Sequence, residues 1–138
     1  MKVYEFEFPE DRYYLKNHVW LKPENGAILI GITELGQSLA KGIVHIDLPG
    51  PGETIKKGDT LAAYETIKAV SQISLPFDAA VMEINEKLWD DPNIINGDPY
   101  GEWIVRIKGK PDMGLLMGVK DAVEYYGRLI AKERERYL

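Results

Sequence analysis

The chain contains no cysteine, which excludes disulfides, thiolate metal sites and cysteine nucleophiles and leaves any thiol chemistry to an added group. Histidine is nearly as scarce: only His18 and His45 are present, far apart in the chain, so no metal site is expected. Basic residues are in deficit. Seventeen Lys and Arg stand against 22 Asp and Glu, a net charge of −5, and no nucleic acid partner is expected. Long hydrophobic runs are missing too, so no membrane partner is expected. The first eight residues alternate apolar and acidic side chains instead of forming a secretory signal. These absences predict a soluble, cytoplasmic protein. Paired carboxylates, a phosphate loop and a Ser-His-Asp spacing are also lacking, so no catalytic residue, and no enzyme, is expected.

What is present suffices for a core. The 138 residues are 45% hydrophobic and are expected to form one domain over 1–138. Apolar residues in the first 108 positions come in short runs bounded by Gly, Pro, Asn and Asp. That pattern predicts strands over 4–8, 18–22, 27–33, 43–48, 60–65, 70–75, 81–85 and 103–108. Thr33 is suited to cap a short helix over 34–40, its hydroxyl accepting from an orphan backbone N–H, with Gly42 at the exit. From Val119 the period changes. Val119, Ala122, Val123, Tyr126, Leu129 and Ile130 recur three and four apart, predicting an amphipathic helix within about 112–138. Its end, Lys132-Glu133-Arg134-Glu135-Arg136, is expected to be solvated. Trp20, Trp89 and Trp103 are expected in the core or in the wall of a cleft.

An internal repeat organises these strands. Ile55-Lys56-Lys57-Gly58-Asp59 recurs as Ile94-Ile95-Asn96-Gly97-Asp98, and each copy has a predicted strand before and after it. Gly58 and Gly97 are expected at positive φ, with the adjoining Asp bonding the turn backbone. Two such units predict a mainly β, quasi-two-fold sandwich or flattened barrel. Between them, two strand-like runs flank Thr66-Ile67-Lys68-Ala69, which places Lys68 near a hairpin tip, pointing into solvent. A lysine there is either an ordinary surface cation or the root of an acyl arm, whose amide would remove its charge.

The residues around it carry a resemblance. Glu65-Thr66-Ile67-Lys68-Ala69 resembles a lipoyl-lysine motif. Several further pieces resemble the H protein of the glycine cleavage system over nearly the whole chain: His18-Val19-Trp20, Gly31-Ile32-Thr33 with Gln37, residues 43–49, and Asp90-Asp91-Pro92 through Asn96-Gly97-Asp98-Pro99-Tyr100-Gly101. The resemblance implies a lipoyl/biotinyl-type hybrid barrel-sandwich with short helices and a C-terminal helix. It also implies a carrier, with (R)-lipoate amide-linked to Lys68 and Glu65 read by the lipoate-attaching enzyme. Asn17, His18, Val19, Trp20 and Gln72 become candidates for a cleft that receives the arm, His18 being expected as a hydrogen-bonded structural residue. Implied partners are the lipoate-attaching enzyme, a dihydrolipoamide dehydrogenase-like protein and the enzymes that load and unload the arm.

Departures from the family pattern sharpen the expectation. Val19 and Gln72 stand where the family places acidic side chains that hold a cationic aminomethyl cargo, and neither supplies charge. Lys41-Gly42, Asp78-Ala79 and His45 also depart from it. These differences favour a related group of lipoate-binding proteins that carry sulfur to a heterodisulfide-reductase-like complex in sulfur oxidation. Aminomethyl transfer in glycine cleavage is the alternative, and an unlipoylated scaffold or interaction module is a third reading of another class.

Overall fold

The computed structural model describes residues 1–135; positions 136–138 of the predicted C-terminal helix lie outside the described residues. Eleven strands and four α-helices follow in chain order: β1 (Lys2–Val3), β2 (Phe6–Glu7), β3 (Tyr13–Tyr14), β4 (Val19–Glu24), β5 (Ala27–Ile32), α1 (Glu34–Ala40), β6 (His45–Asp47), β7 (Thr54–Ile55), β8 (Thr60–Glu65), β9 (Val70–Ser74), β10 (Ala79–Ile84), α2 (Lys87–Asp90), α3 (Ile94–Gly97), β11 (Val105–Gly109) and α4 (Val119–Glu135). They form a six-stranded sheet in the order β3-β4-β5-β11-β10-β7, a three-stranded sheet β6-β8-β9 and a small hairpin β1-β2. The chain is mainly β with short helices and a C-terminal helix, as expected.

Alternation along the strands builds two cores. Val19 and Leu21 of β4, and Ile28, Ile30 and Ile32 of β5, meet Leu61, Tyr64 and Ile73 from the three-stranded sheet in one apolar cluster. All six residues of β5 are buried because its other face is covered as well. There Leu29 joins Trp20, Phe8 and Tyr14 beneath Ala122, Tyr126 and Ile130 of α4. Those three are the buried residues of the helix, and their spacing of four is the stripe that the sequence shows.

Trp20 fixes the contact between the two layers. Its indole N–H donates to the carbonyls of Ile32 at 3.1 Å and Pro99 at 3.0 Å, so the ring has no freedom to swing. A β-carbon at Gly31 would stand 2.3 Å from that ring. Gly31→Ala is therefore expected to destabilise the fold by about 1–3 kcal/mol or more through overpacking. Denaturant unfolding measures it, and an unchanged midpoint would show that the ring can yield.

The repeat is topological more than local. β6 pairs with β8, and β10 with β11, both antiparallel, so each copy is two paired strands joined by a long connection. Gly58 has the expected positive φ of 84°. Gly97 does not, because the second connection folds into α2 and α3 and Gly97 ends the latter. Asp98 still bonds locally, its carboxylate accepting from the Gly101 N–H at 3.0 Å.

Other differences have plain causes. The predicted strand over 4–8 is a hairpin turning at Tyr4, whose φ is 53°. Trp89 is 57% exposed on the short α2 and so is neither core nor cleft wall. The end of α4 is not simply solvated: Arg134 pairs with Glu5 and lies 4.5 Å over the Tyr4 ring, tying the helix to the N-terminal hairpin.

Candidate functional site

β8 and β9 pair from Thr60 opposite Ser74 to Glu65 opposite Val70, leaving residues 66–69 as the tip. The Thr66 N–H donates to the Ala69 carbonyl at 2.9 Å. The Thr66 hydroxyl accepts from the backbone N–H groups of Lys68 at 3.3 Å and Ala69 at 3.2 Å. One threonine thus closes the turn from within, the local alternative that short hydroxyl side chains offer a backbone. Lys68 is exposed on this tip, and its ammonium forms no salt bridge among the described residues. The rigid hairpin with a free lysine is the geometry that the sequence predicts.

Beside the tip lies a groove of about 640 Å³. Residues 66–69 border it together with Gly36, Leu39 and Lys41 at α1, Tyr64 of β8, Ser71 of β9 and His18 just before β4. Gly36 is what lets α1 come so close, since a β-carbon there would stand 2.7 Å from that of His18. Thr33 caps α1 as expected, its hydroxyl accepting from Gly36 N–H at 3.0 Å. The left-handed C-cap is Lys41 at φ 52°, one residue earlier than the expected Gly42. Among the described residues no carboxylate lines the groove. Burial pushes the Tyr64 phenol up, with a hydrogen bond to Ser71 working against it.

His18 is the most constrained residue here. It lies outside β4 with φ of 67°, a conformation costing a β-carbon-bearing residue about 1–3 kcal/mol. Its backbone is clamped: the N–H donates to the Tyr126 hydroxyl at 3.0 Å, the carbonyl accepts from Thr33 N–H at 2.9 Å, and the Tyr126 hydroxyl donates to the Leu15 carbonyl. The ring is different. Nδ1 is buried and has no hydrogen-bond partner, a cost of about 1–3 kcal/mol, so His18 is not the hydrogen-bonded structural histidine that the sequence predicts. Burial depresses its pKa, which leaves the imidazole neutral near pH 7.

Of the five cleft candidates, only His18 joins Lys68 at this groove. Val19 is 1% exposed within the inter-sheet core, because alternation along β4 sends it to the face opposite Trp20. Trp20 packs on the far side of β4 under α4. Gln72 is exposed on the outer face of β9, its side-chain oxygen accepting from the Thr60 hydroxyl at 3.2 Å. Asn17 ties its loop to β9 by donating to the Ser74 carbonyl at 3.2 Å. Glu65 flanks the tip on the outer face, opposite His45 and Val70. Sequence reasoning missed Tyr64 and Ser71, although alternation from Glu65 and Gln72 assigns both to the inner face. It also missed the contributions of Leu39 and Lys41, for which a seven-residue helix end carries no signal.

The family model for the glycine cleavage H-protein matches residues 12–128. The chain belongs to that family. Among relatives of this family, a protein from Pyrococcus horikoshii described as a probable glycine cleavage system H protein is 40% identical over 126 residues, covering 91% of this chain and 94% of the relative. A glycine cleavage system H protein from Thermus thermophilus is 39% identical over 120 residues, covering 86% and 93%. The crystal structure of a glycine cleavage system H protein from Mycobacterium marinum superposes with a TM-score of 0.76 at 30% identity, covering 88% of this chain and 98% of that one. The H-protein fold is thus shared, and these likenesses favour the glycine cleavage alternative over the sulfur-oxidation reading. The geometry removes a support of the latter too: Val19 and Gln72 do not line the groove, so their neutrality is not what leaves it without a carboxylate.

Proposed function

We propose that the protein is a lipoyl carrier of the glycine cleavage system, with lipoate amide-linked to Lys68. The observation that carries this reading is an exposed lysine on a hairpin closed from within by Thr66, beside a groove wide enough for a flexible acyl chain, in a chain of the H-protein family. When attached, lipoate supplies a dithiolane that opens to two thiols, takes a group on one sulfur and closes again. The chain's own part is positional. The hairpin presents the lysine outward so that partner enzymes can reach the arm, and Leu39, Ala40 and Ile67 give the groove apolar surface for the acyl chain. The unpartnered Nδ1 of His18 marks a place where a polar end would find a ring without competing bonds. Glu65, beside the tip, is the residue the lipoate-attaching enzyme reads, and a dihydrolipoamide dehydrogenase-like protein restores the arm's disulfide.

The test is the intact mass, without reduction, of protein purified from its native cells, followed by peptide mapping. A lipoyl addition confined to Lys68 is the expected result. An unmodified Lys68 would leave the scaffold reading standing, and extra sulfur on the arm would return the carrier to sulfur chemistry.

A further inference from the structure

Two residues that line the groove, His18 and Lys41, hold left-handed backbone at φ 67° and 52°. The unpartnered Nδ1 of His18 indicates which way its ring is protonated. A buried N–H without an acceptor is the rarer and costlier orphan, so Nδ1 carries the lone pair and Nε2 the hydrogen. Burial works against the doubly protonated ring. His18 therefore brings an N–H donor, and Lys41 an ammonium. Tyr64 and Ser71 lie opposite one another on β8 and β9, and no carboxylate lines the groove among the described residues. On the far side of His18, α4 contributes Glu133 and Arg134 to an adjoining apolar groove, with Arg134 paired to Glu5, and Tyr126 faces the imidazole with ring centres 5.3 Å apart. Among the described residues, the charged groups bordering the Lys68 groove are thus cationic, and once Lys68 is an amide only Lys41 remains of them.

A site furnished with donors and one cation favours an anion. Within a lipoyl arm the only groups that ionise are the two thiols of its reduced form. We propose that His18 and Lys41 make this groove a thiolate-holding site, which lowers the pKa of a reduced arm rooted at Lys68. The S–H proton passes to solvent and the electron pair stays on sulfur, held by Lys41 and the imidazole N–H. Cationic neighbours lower thiol pKa values in this way, and the thiolate is the species that exchanges with disulfides. This inference rests on the lipoyl reading of Lys68.

The experiment uses the full chain, lipoylated in vitro by a lipoate ligase and checked by mass, then reduced. The thiolate ultraviolet absorbance and the rate of alkylation by iodoacetamide are followed against pH beside free dihydrolipoamide. With no cysteine in the chain, thiol alkylation reports the arm, and the absorbance of its eight tyrosines is subtracted with the unlipoylated chain titrated in parallel. The expected midpoint lies about one pH unit below that of the free compound, giving about tenfold more thiolate at neutral pH; the lower intrinsic nucleophilicity leaves alkylation about threefold faster. Lys41→Asn and His18→Asn, chosen because Asn tolerates left-handed backbone, are each expected to move the midpoint back toward the free value, and His18→Gln to recover part of the loss. A wild-type midpoint equal to that of dihydrolipoamide, or one that neither Asn variant moves, would overturn the inference. Because the arm is installed in vitro, absence of lipoate on Lys68 in native cells counts against the proposed function alone.

Discussion

Lys68→Arg is expected to bring carrier turnover in a reconstituted glycine cleavage assay down to background while leaving the melting temperature unchanged. The two halves of that result have separate causes. Lys68 is exposed and its ammonium makes no salt bridge among the described residues, and arginine keeps the charge and most of the length. Surface replacements of this kind usually stay within about 0.5 kcal/mol. Amide formation, however, needs an amine that can lose its proton, and the guanidinium with its pKa above about 12 cannot supply one. Intact mass of the variant should show no lipoyl addition. Turnover that survives the substitution would remove Lys68 from the mechanism.

Tyr126→Phe is expected to cost on the order of 2–4 kcal/mol, one of the largest losses that a single oxygen can cause here. The hydroxyl accepts from His18 N–H and donates to the Leu15 carbonyl, and the residue has no exposed surface. Removing the oxygen leaves a donor and an acceptor unpaired away from water, each costing about 1–3 kcal/mol. Phenylalanine keeps the ring stacked on Phe8 at 5.4 Å, so the loss measures the bonds and not the packing. Thermal and urea unfolding read it. A loss below about 0.5 kcal/mol would mean that water reaches these groups. The same variant releases the left-handed backbone of His18, so amide exchange at His18 and Thr33 should quicken more than in the three-stranded sheet.

Legibility in the sequence followed the range of the signal. β8 and α1 have the bounds that the sequence predicts, and the 66–69 tip lies where expected, because a cap, a tight turn and a run of alternating residues are all local. The family resemblance likewise rested on contiguous motifs. Cleft membership was a different kind of question. Gln72 adjoins Ser71, which lines the groove, yet a strand sends adjacent side chains to opposite faces, and the same alternation along β4 sends Val19 and Trp20 to two different cores. In a sheet covered on both sides, burial alone does not label the face. β5, buried at every residue, carries no alternation to read. The two-residue strands β3 and β7 and the four-residue helices α2 and α3 are too short to show a period. Gly97 went astray for a related reason: its Gly-Asp pair matches Gly58-Asp59 letter for letter, but helical backbone around Ile94–Gly97 removes the need for a positive φ. His18 looked ordinary because nothing local to it forecasts a clamp from Tyr126, 108 residues away.

That clamp sets an order of assembly during synthesis. The hairpin bearing Lys68 pairs strands adjacent in the chain, so it can close while the C-terminal third is still inside the ribosome. The backbone of His18 waits for α4, the last of the described helices to emerge. Under the proposed lipoyl reading, a nascent chain would present the lysine to a modifying enzyme before the groove beside it has its final shape, and an arm attached then would meet that groove only when the helix docks.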